Sequence, residues 1–405
     1  MSHRAHVPDP IRRFRMRSWL FVPLLFLMAP LAPAGDQLPY RPNPSGFAIR
    51  RGINLSHWLS QCFGWSPRAT YITEDDIRFL ARLGYDHVRI PIDEQEMWSE
   101  DGRPVEESFA CLTRALDWSA KHRLRAIVDL HIVRAHHFNA ANEGGRNTLW
   151  TDAKAQAGFL RLWEELSRRL SRYPVDQLAY EIMNEAVAED HEDWNRLLSS
   201  AVKSIRSREP KRVLVIGSNM WQMARTFPFL RVPENDPNII LSVHTYVPLI
   251  FTHYKASWMP FKTYSGPVHY PGPPLTQEAL EGYADRNLPV VAQQLADARD
   301  EFGPDRLFRE LEPAITRAKA LGLQLYLGEF GCLPTVPRQD RLAYYADVVG
   351  VAEKNGLAWA NWEYKADFGI VGYDIEKQVA LQPDVDLIKA LLGRQASVPP
   401  FPITE

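Results

Sequence analysis

Short apolar runs rich in β-branched residues alternate along the chain with longer stretches whose apolar positions recur every three or four residues. The short runs predict strands at Phe47–Leu55, His87–Ile92, Arg125–His131, Leu178–Glu185, Arg212–Ser218, Asn238–Tyr246, Gln324–Gly331 and Ala358–Tyr364. The longer ones, Thr73–Leu83, Glu107–His122, Ala153–Arg172, Trp194–Arg206 and Arg341–Asn355, predict amphipathic helices. Strands alternating with helices argue for βαβ units and a parallel sheet. Runs such as Ala126-Ile127-Val128-Asp129-Leu130 are apolar almost throughout, as strands covered on both faces must be. Eight of them in this order suggest an α/β fold, a closed (β/α)8 TIM barrel, rather than an open doubly wound sheet. A barrel of this kind takes about 250 residues, which leaves roughly 100 for insertions. The largest insertion expected is an enlarged loop after strand 6, Val247–Gly322, with Phe251, Tyr254, Trp258, Phe261, Tyr264 and Tyr270 ahead of a helical stretch.

The two ends read differently. Arg12, Arg13, Arg15 and Arg17 precede an apolar run from Trp19 to Ala29, and Ala32-Pro33-Ala34 then offers a cleavage point. Basic region, short apolar segment and A-x-A site describe a signal peptide over residues 1–34. The run is shorter than the ~20 residues that span a bilayer, and Pro23 and Pro30 interrupt it. The expectation is an exported protein, periplasmic or extracellular, with no membrane attachment after cleavage; an uncleaved anchor is the alternative. No repeat and no Gly/Ser-rich linker divides residues 36–395, which predicts a single barrel followed by an irregular tail at 396–405. A monomer is expected.

Composition narrows the partners. Lys and Arg number 47 against 49 Asp and Glu, so no global field favours nucleic acid or an anionic membrane. A neutral, polar, extended substrate suits that balance. The aromatic set of 12 Trp, 15 Tyr and 18 Phe supplies a core and leaves flat faces for a sugar cleft. The three cysteines make no even-numbered framework, and neither CxxC nor Cys/His spacing suggests zinc. His136 and His137 follow His131 closely but lack the carboxylate spacing of a metal site, so they read as a cleft loop. No metal and no cofactor is expected. Cys62 and Cys332 both follow strands, and whether they pair is left open.

Chemistry enters through the polar residues at strand ends. Strand two carries Arg89; strand three ends at His131, strand four at Asn184-Glu185, strand six at His244 and Tyr246, strand seven at Glu329 and strand eight at Trp362. In such a barrel these ends converge on the face that holds the active site. Taken singly each has an ordinary explanation: a capping Asn-Glu, a turn glutamate between glycines, core histidines, a structural arginine, a core tryptophan. Jointly they place two carboxylates among polar partners, and buried carboxylates are costly without a reason. Trp58, Trp150, Phe251, Tyr254 and Trp258 are weaker candidates for sugar contact, evenly balanced against packing.

That end-of-strand pattern resembles glycoside hydrolase family 5, in the clan whose barrels carry catalytic glutamates on strands four and seven. Gly52-Ile53-Asn54-Leu55, His87-Val88-Arg89-Ile90-Pro91, Phe251-Thr252-His253-Tyr254-Lys255-Ala256-Ser257-Trp258 and Trp362-Glu363-Tyr364-Lys365-Ala366-Asp367-Phe368 look like its clostridial cellulase C branch. Departures are Glu363 after the tryptophan and the Pro/Gly-rich Ser265–Pro274, which bears on cleft shape. The resemblance implies Glu329 as nucleophile and Glu185 as acid/base. It makes Arg89, His131, Asn184, His244, Tyr246 and Trp362 substrate-binding or supporting groups. It implies an endo-acting, retaining hydrolase of β-1,4-glucosidic bonds in cellulose-like or mixed-linkage β-glucan. A β-mannanase, β-1,3-glucanase or xyloglucanase, an exo-glucosidase or a transglycosylase would use the same residues, because fold and catalytic pair do not fix the substrate. A catalytically dead carbohydrate-binding barrel is the reading from another class.

Overall fold

The computed structural model describes residues 43–62, 64, 66–139 and 147–401. The leader expected over residues 1–34 and the last four residues of the tail lie outside the described residues.

Eight parallel strands close into a barrel. They are β1 (Arg51–Asn54), β2 (His87–Asp93), β3 (Arg125–Ile132), β4 (Leu178–Glu181), β5 (Val213–Gly217), β6 (Ile239–His244), β7 (Gln324–Glu329) and β8 (Ala358–Asn361). Each pairs with the next, and β8 returns to β1 with Gly52 opposite Ala360. The helices are α1 (Glu74–Leu83), a short α2 (Glu94–Met97), α3 (Glu106–Lys121), α4 (Ala153–Leu170) and α5 (His191–Arg208). The insertion then holds α6 (Leu249–Thr252), α7 (Gln277–Gly282), α8 (Pro289–Gln294) and α9 (Pro304–Leu321), and α10 (Arg338–Lys354) and α11 (Val385–Leu392) follow. Local chemistry sets the ends. Asp190 accepts from the Glu192 N–H at 2.9 Å to cap α5, and α9 stops at Gly322, whose φ of 64° is left-handed.

Period-two alternation divides each strand between two environments. Ala126, Val128 and Leu130 of β3 join the layer between sheet and helices. Ile127, Ala179, Val213, Val215, Ile240, Tyr326, Ala358 and Ala360 form a separate apolar plug with Phe47 and Ile49. In the same phase but nearer the strand C-termini come Asp129, His131, Glu181 and His244, all buried. The lumen is apolar at one end and charged at the other.

Three features differ from the sequence reading. The β4 and β8 ladders stop at Glu181 and Asn361, short of Glu185 and Tyr364. Beyond Glu181 the chain still touches its neighbours singly, Ile182 N–H to Val215 O at 3.1 Å and Asn184 N–H to Leu130 O at 3.1 Å, before turning into the lumen mouth. Between β5 and β6 a 3-10 segment, Ala224–Phe229, stands where an outer α-helix would be. A hairpin of β9 (Val371–Asp374) and β10 (Val379–Pro383) follows β8.

Candidate active site

Arg89 is fully buried on β2, and its guanidinium organises the lumen mouth. Its Nε donates to Glu181 at 2.6 Å, Nη1 to Glu329 at 2.7 Å and to Asn54 at 2.9 Å, and Nη2 to Asn184 at 2.9 Å. Asp129 stands 3.0 Å from Nη2. A buried charge needs such partners, and against the cost of burial Asp129, Glu181 and Glu329 hold the guanidinium firmly protonated.

Glu329, at the end of β7, accepts from Arg89 on one oxygen and from the Tyr246 hydroxyl on the other at 2.9 Å. Glu185 faces it across the mouth and shares a 2.9 Å hydrogen bond with Nδ1 of His244. That nitrogen is 3.7 Å from Glu329, and one donor atom from each of Glu185, His244 and Glu329 lies within 4.8 Å of the other two. Those three form the one cluster among the described residues with metal-ligand spacing. Both oxygens of Glu329 are already engaged, one by an arginine whose charge opposes a cation, so the donor set suits proton chemistry better.

The two carboxyls have unequal surroundings. Burial lifts Glu185 well above the ordinary carboxylate range, and the charge of Glu329 lifts it further. Burial also raises Glu329, but Arg89 and the Tyr246 hydroxyl pull the other way. Burial keeps His131 and His244 well below the usual imidazole range, and therefore neutral. His131 Nδ1 donates to Asp129 at 2.7 Å, leaving Nε2 to accept from Gln61 at 2.9 Å. Its ring lies nearly parallel to Trp362, 12° between planes and 5.5 Å between centroids.

Glu185, Glu329, His131, His244, Tyr246 and Trp362 line a cleft of about 470 Å³ together with His57, His137, Trp221, Trp258, Asp367 and Phe368, while Arg89 and Asn184 lie buried behind it. A second groove of about 1080 Å³ runs past Phe229, Arg231 and Leu321 and holds none of the strand-end groups.

All eight strand-end residues read from the sequence, Arg89, His131, Asn184, Glu185, His244, Tyr246, Glu329 and Trp362, meet at this mouth. Of the five weaker aromatics only Trp258 lines the cleft. Trp58 and Trp150 are buried with their N–H groups on the carbonyls of Arg68 and Val187. Phe251 packs on Tyr270 and Tyr344, and Tyr254 donates to the carbonyl of Gly266. His137 lines the cleft, whereas His136 is buried and accepts from the Val187 N–H at 3.1 Å. Ser265–Pro274 stays off the cleft; within it Tyr270 bonds Asp340 and Asp347. Cys62 and Cys332 are buried and unpaired. Glu363 is buried under the cleft wall, 3.2 Å from His57 Nε2 and accepting from the Phe368 N–H at 3.3 Å.

Asp129, Glu181, Asn54 and Gln222 were not among the expected site residues. A signal existed for two of them: Asp129 and Glu181 interrupt apolar strands in phase with His131 and Glu185. Gln222 sits in a loop and carried none.

The sequence profile described as Cellulase (glycosyl hydrolase family 5) matches residues 43–368. Endoglucanase C of Acetivibrio thermocellus is 31% identical over 333 residues, 81% of this chain and 94% of that protein. Cellodextrinase A of Ruminococcus flavefaciens is 28% identical over 314 residues, 76% and 84% of the two chains. Among solved structures, the cellulose synthase subunit Z of Clostridioides difficile superposes with a TM-score of 0.65 at 23% identity, covering 85% of this chain and 99% of that one. Thermotoga maritima Cel5A in complex with cellobiose gives 0.66 at 24% identity, covering 87% and 100%. These two share the fold.

Proposed function

The chain belongs to glycosyl hydrolase family 5, and from that membership we propose that Glu329 and Glu185 cut β-1,4-linked glucan within the chain by two successive displacements at one anomeric carbon. Glu329 attacks that carbon as the glycosidic C–O bond breaks, and Glu185 gives its proton to the departing oxygen. A glycosyl ester on Glu329 results. Glu185, now a base, takes a proton from water as the water oxygen attacks the same carbon and frees Glu329. Two inversions leave the β configuration.

The observation that carries this reading is the approach of the two carboxyls to within 4.8 Å in unequal surroundings. Retention requires carboxyls about 5–5.5 Å apart, whereas inversion leaves about 6.5–9.5 Å for a water between them. Arg89 and Tyr246 suit Glu329 to act ionised, and His244 orients Glu185. When the ester forms, the Glu329 charge that helps raise the Glu185 pKa disappears, so the same carboxyl stays ionised and can serve as the base that takes the water's proton. Asn184 would meet the sugar 2-hydroxyl, and Trp362, backed by His131, would form the floor. Action within glucan chains is the activity that the name Endoglucanase C gives to the relative at 31% identity. The basic-apolar-small pattern of residues 1–34 supports export to the periplasm or beyond, and a monomer suffices for a site built from one barrel. No helix among the described residues is long and apolar enough to cross a membrane.

The test is to incubate the protein with barley β-glucan, carboxymethylcellulose and mannan and follow the new reducing ends by proton NMR. The expected result is cleavage of the β-1,4-glucans with the β-anomer appearing first. An α-anomer appearing first, or full activity in Glu185→Gln or Glu329→Gln, would overturn the proposal.

A further inference from the structure

Behind Glu185 the chain does something unusual for ordinary side chains. Met220, Trp221 and Gln222 follow β5 with φ of 57°, 59° and 54°, and Glu185 itself has φ 42°. Non-glycine residues seldom enter this left-handed region, and where they do the surroundings must enforce it. Here the enforcing contacts converge on Gln222, which is buried. Having left the β4 ladder, Glu185 has no strand partner for its N–H, and Gln222 Oε1 accepts it at 2.8 Å. With the oxygen so used, the amide nitrogen faces acceptors: Ser242 Oγ at 2.9 Å and Glu181 Oε1 at 3.2 Å. The main-chain carbonyl of Gln222 accepts from the His244 N–H at 3.1 Å, so one residue fixes the backbones of Glu185 and of the imidazole bonded to its carboxyl. Trp221 N–H to Ala186 O at 3.2 Å and Trp221 Nε1 to Phe138 O at 3.1 Å pin the turn from outside. Space is reserved as well: a Cβ on Gly217 would lie 2.2 Å from Gln222 Cγ.

We infer that Gln222 is the positioning residue of the acid/base. Its amide and carbonyl hold Glu185 and His244 as one unit, so that the Glu185 proton points at the leaving oxygen. This rests on the proposed role of Glu185 and goes beyond it by naming what aims that carboxyl.

The test exploits a leaving group that needs no proton. Dinitrophenolate departs unaided, whereas a sugar alcohol does not, and kcat/KM reports the first displacement in both cases. Gln222→Ala should lower kcat/KM on cellotetraose about 100-fold, the cost of displacing a reacting group by about 1 Å. The loss should fall on kcat, with KM held. On 2,4-dinitrophenyl β-cellobioside, where acid assistance is not needed, the loss should stay below about threefold. Gln222→Met, which refills the space beside Gly217 without the side-chain hydrogen bonds and keeps the main-chain carbonyl's bond to His244, should reproduce the contrast. Equal losses on the two substrates in both variants, through misfolding or otherwise, would overturn the inference, as would unchanged kcat/KM on cellotetraose. Glu185→Ala run in parallel separates the two levels: if it too lacks the leaving-group contrast, the two-glutamate reading fails rather than the role of Gln222.

Discussion

Glu329 is gripped by a guanidinium on one oxygen and a phenol on the other, while Glu185 meets an imidazole that burial keeps neutral. Identical side chains thus acquire different acidities. For kcat/KM the sign follows: activity rises as Glu329 loses its proton and falls as pH passes the well-raised Glu185 pKa. Tyr246→Phe removes a hydrogen bond that favours the ionised Glu329, so its pKa rises. The acid limb of the profile should move upward by as much as about one unit, with the largest loss at low pH. A pH–rate profile with an unmoved acid limb would contradict the assignment. At this scale the sequence was most informative where a polar residue ends an apolar strand, as at His131 or Glu329. Asp129 and Glu181 escaped notice because each reads locally as one charge inside a strand; only the guanidinium of Arg89, far away in sequence, explains them. The Gln222 contacts depend on backbone conformation, which no residue-type pattern records.

Among the elements, the eight strands and the main helices were legible from periodicity, because burial on one or both faces writes itself into residue type. The 3-10 segment was not. Pro228, Pro233 and Pro237 rule out a long helix there but do not say what replaces it. The insertion after β6 was visible as surplus length and Trp258 within it as a candidate for sugar contact, but its other contributions to the cleft were not: Met259 precedes α7, Gln294 ends α8, and Glu310 lies in α9. Trp258 is 42% exposed while lining the cleft, the disposition of a side chain waiting for an apolar sugar face. Taking the about 0.5–1.5 kcal/mol of a pair of aromatic rings as the scale for a sugar on tryptophan gives about 2–12-fold. Trp258→Ala should therefore lower kcat/KM by that factor on oligosaccharides long enough to reach it, and leave the shortest cleaved substrate and Tm unchanged. A uniform loss across chain lengths would assign Trp258 to packing instead.

For the whole molecule, a formal net charge of −2 and an uncharged polymer leave little long-range attraction for salt to screen. The kcat/KM on soluble glucan should change less than about twofold between roughly 10 mM and 500 mM NaCl; a steep decline would point to an ionic substrate. The charged groups that matter are buried at the lumen mouth and paired with one another, and such pairs are screened less than exposed ones.

The barrel also distributes its working parts around a ring. Arg89 stands on β2, Glu185 just past β4, Glu329 on β7, and the ring exists only once β8 has found β1. Neither half of the strand set owns a complete pair of glutamates with its arginine. A pair of strands, or either half of the barrel alone, therefore cannot bring both glutamates and the arginine to one place; that juxtaposition needs the closed sheet.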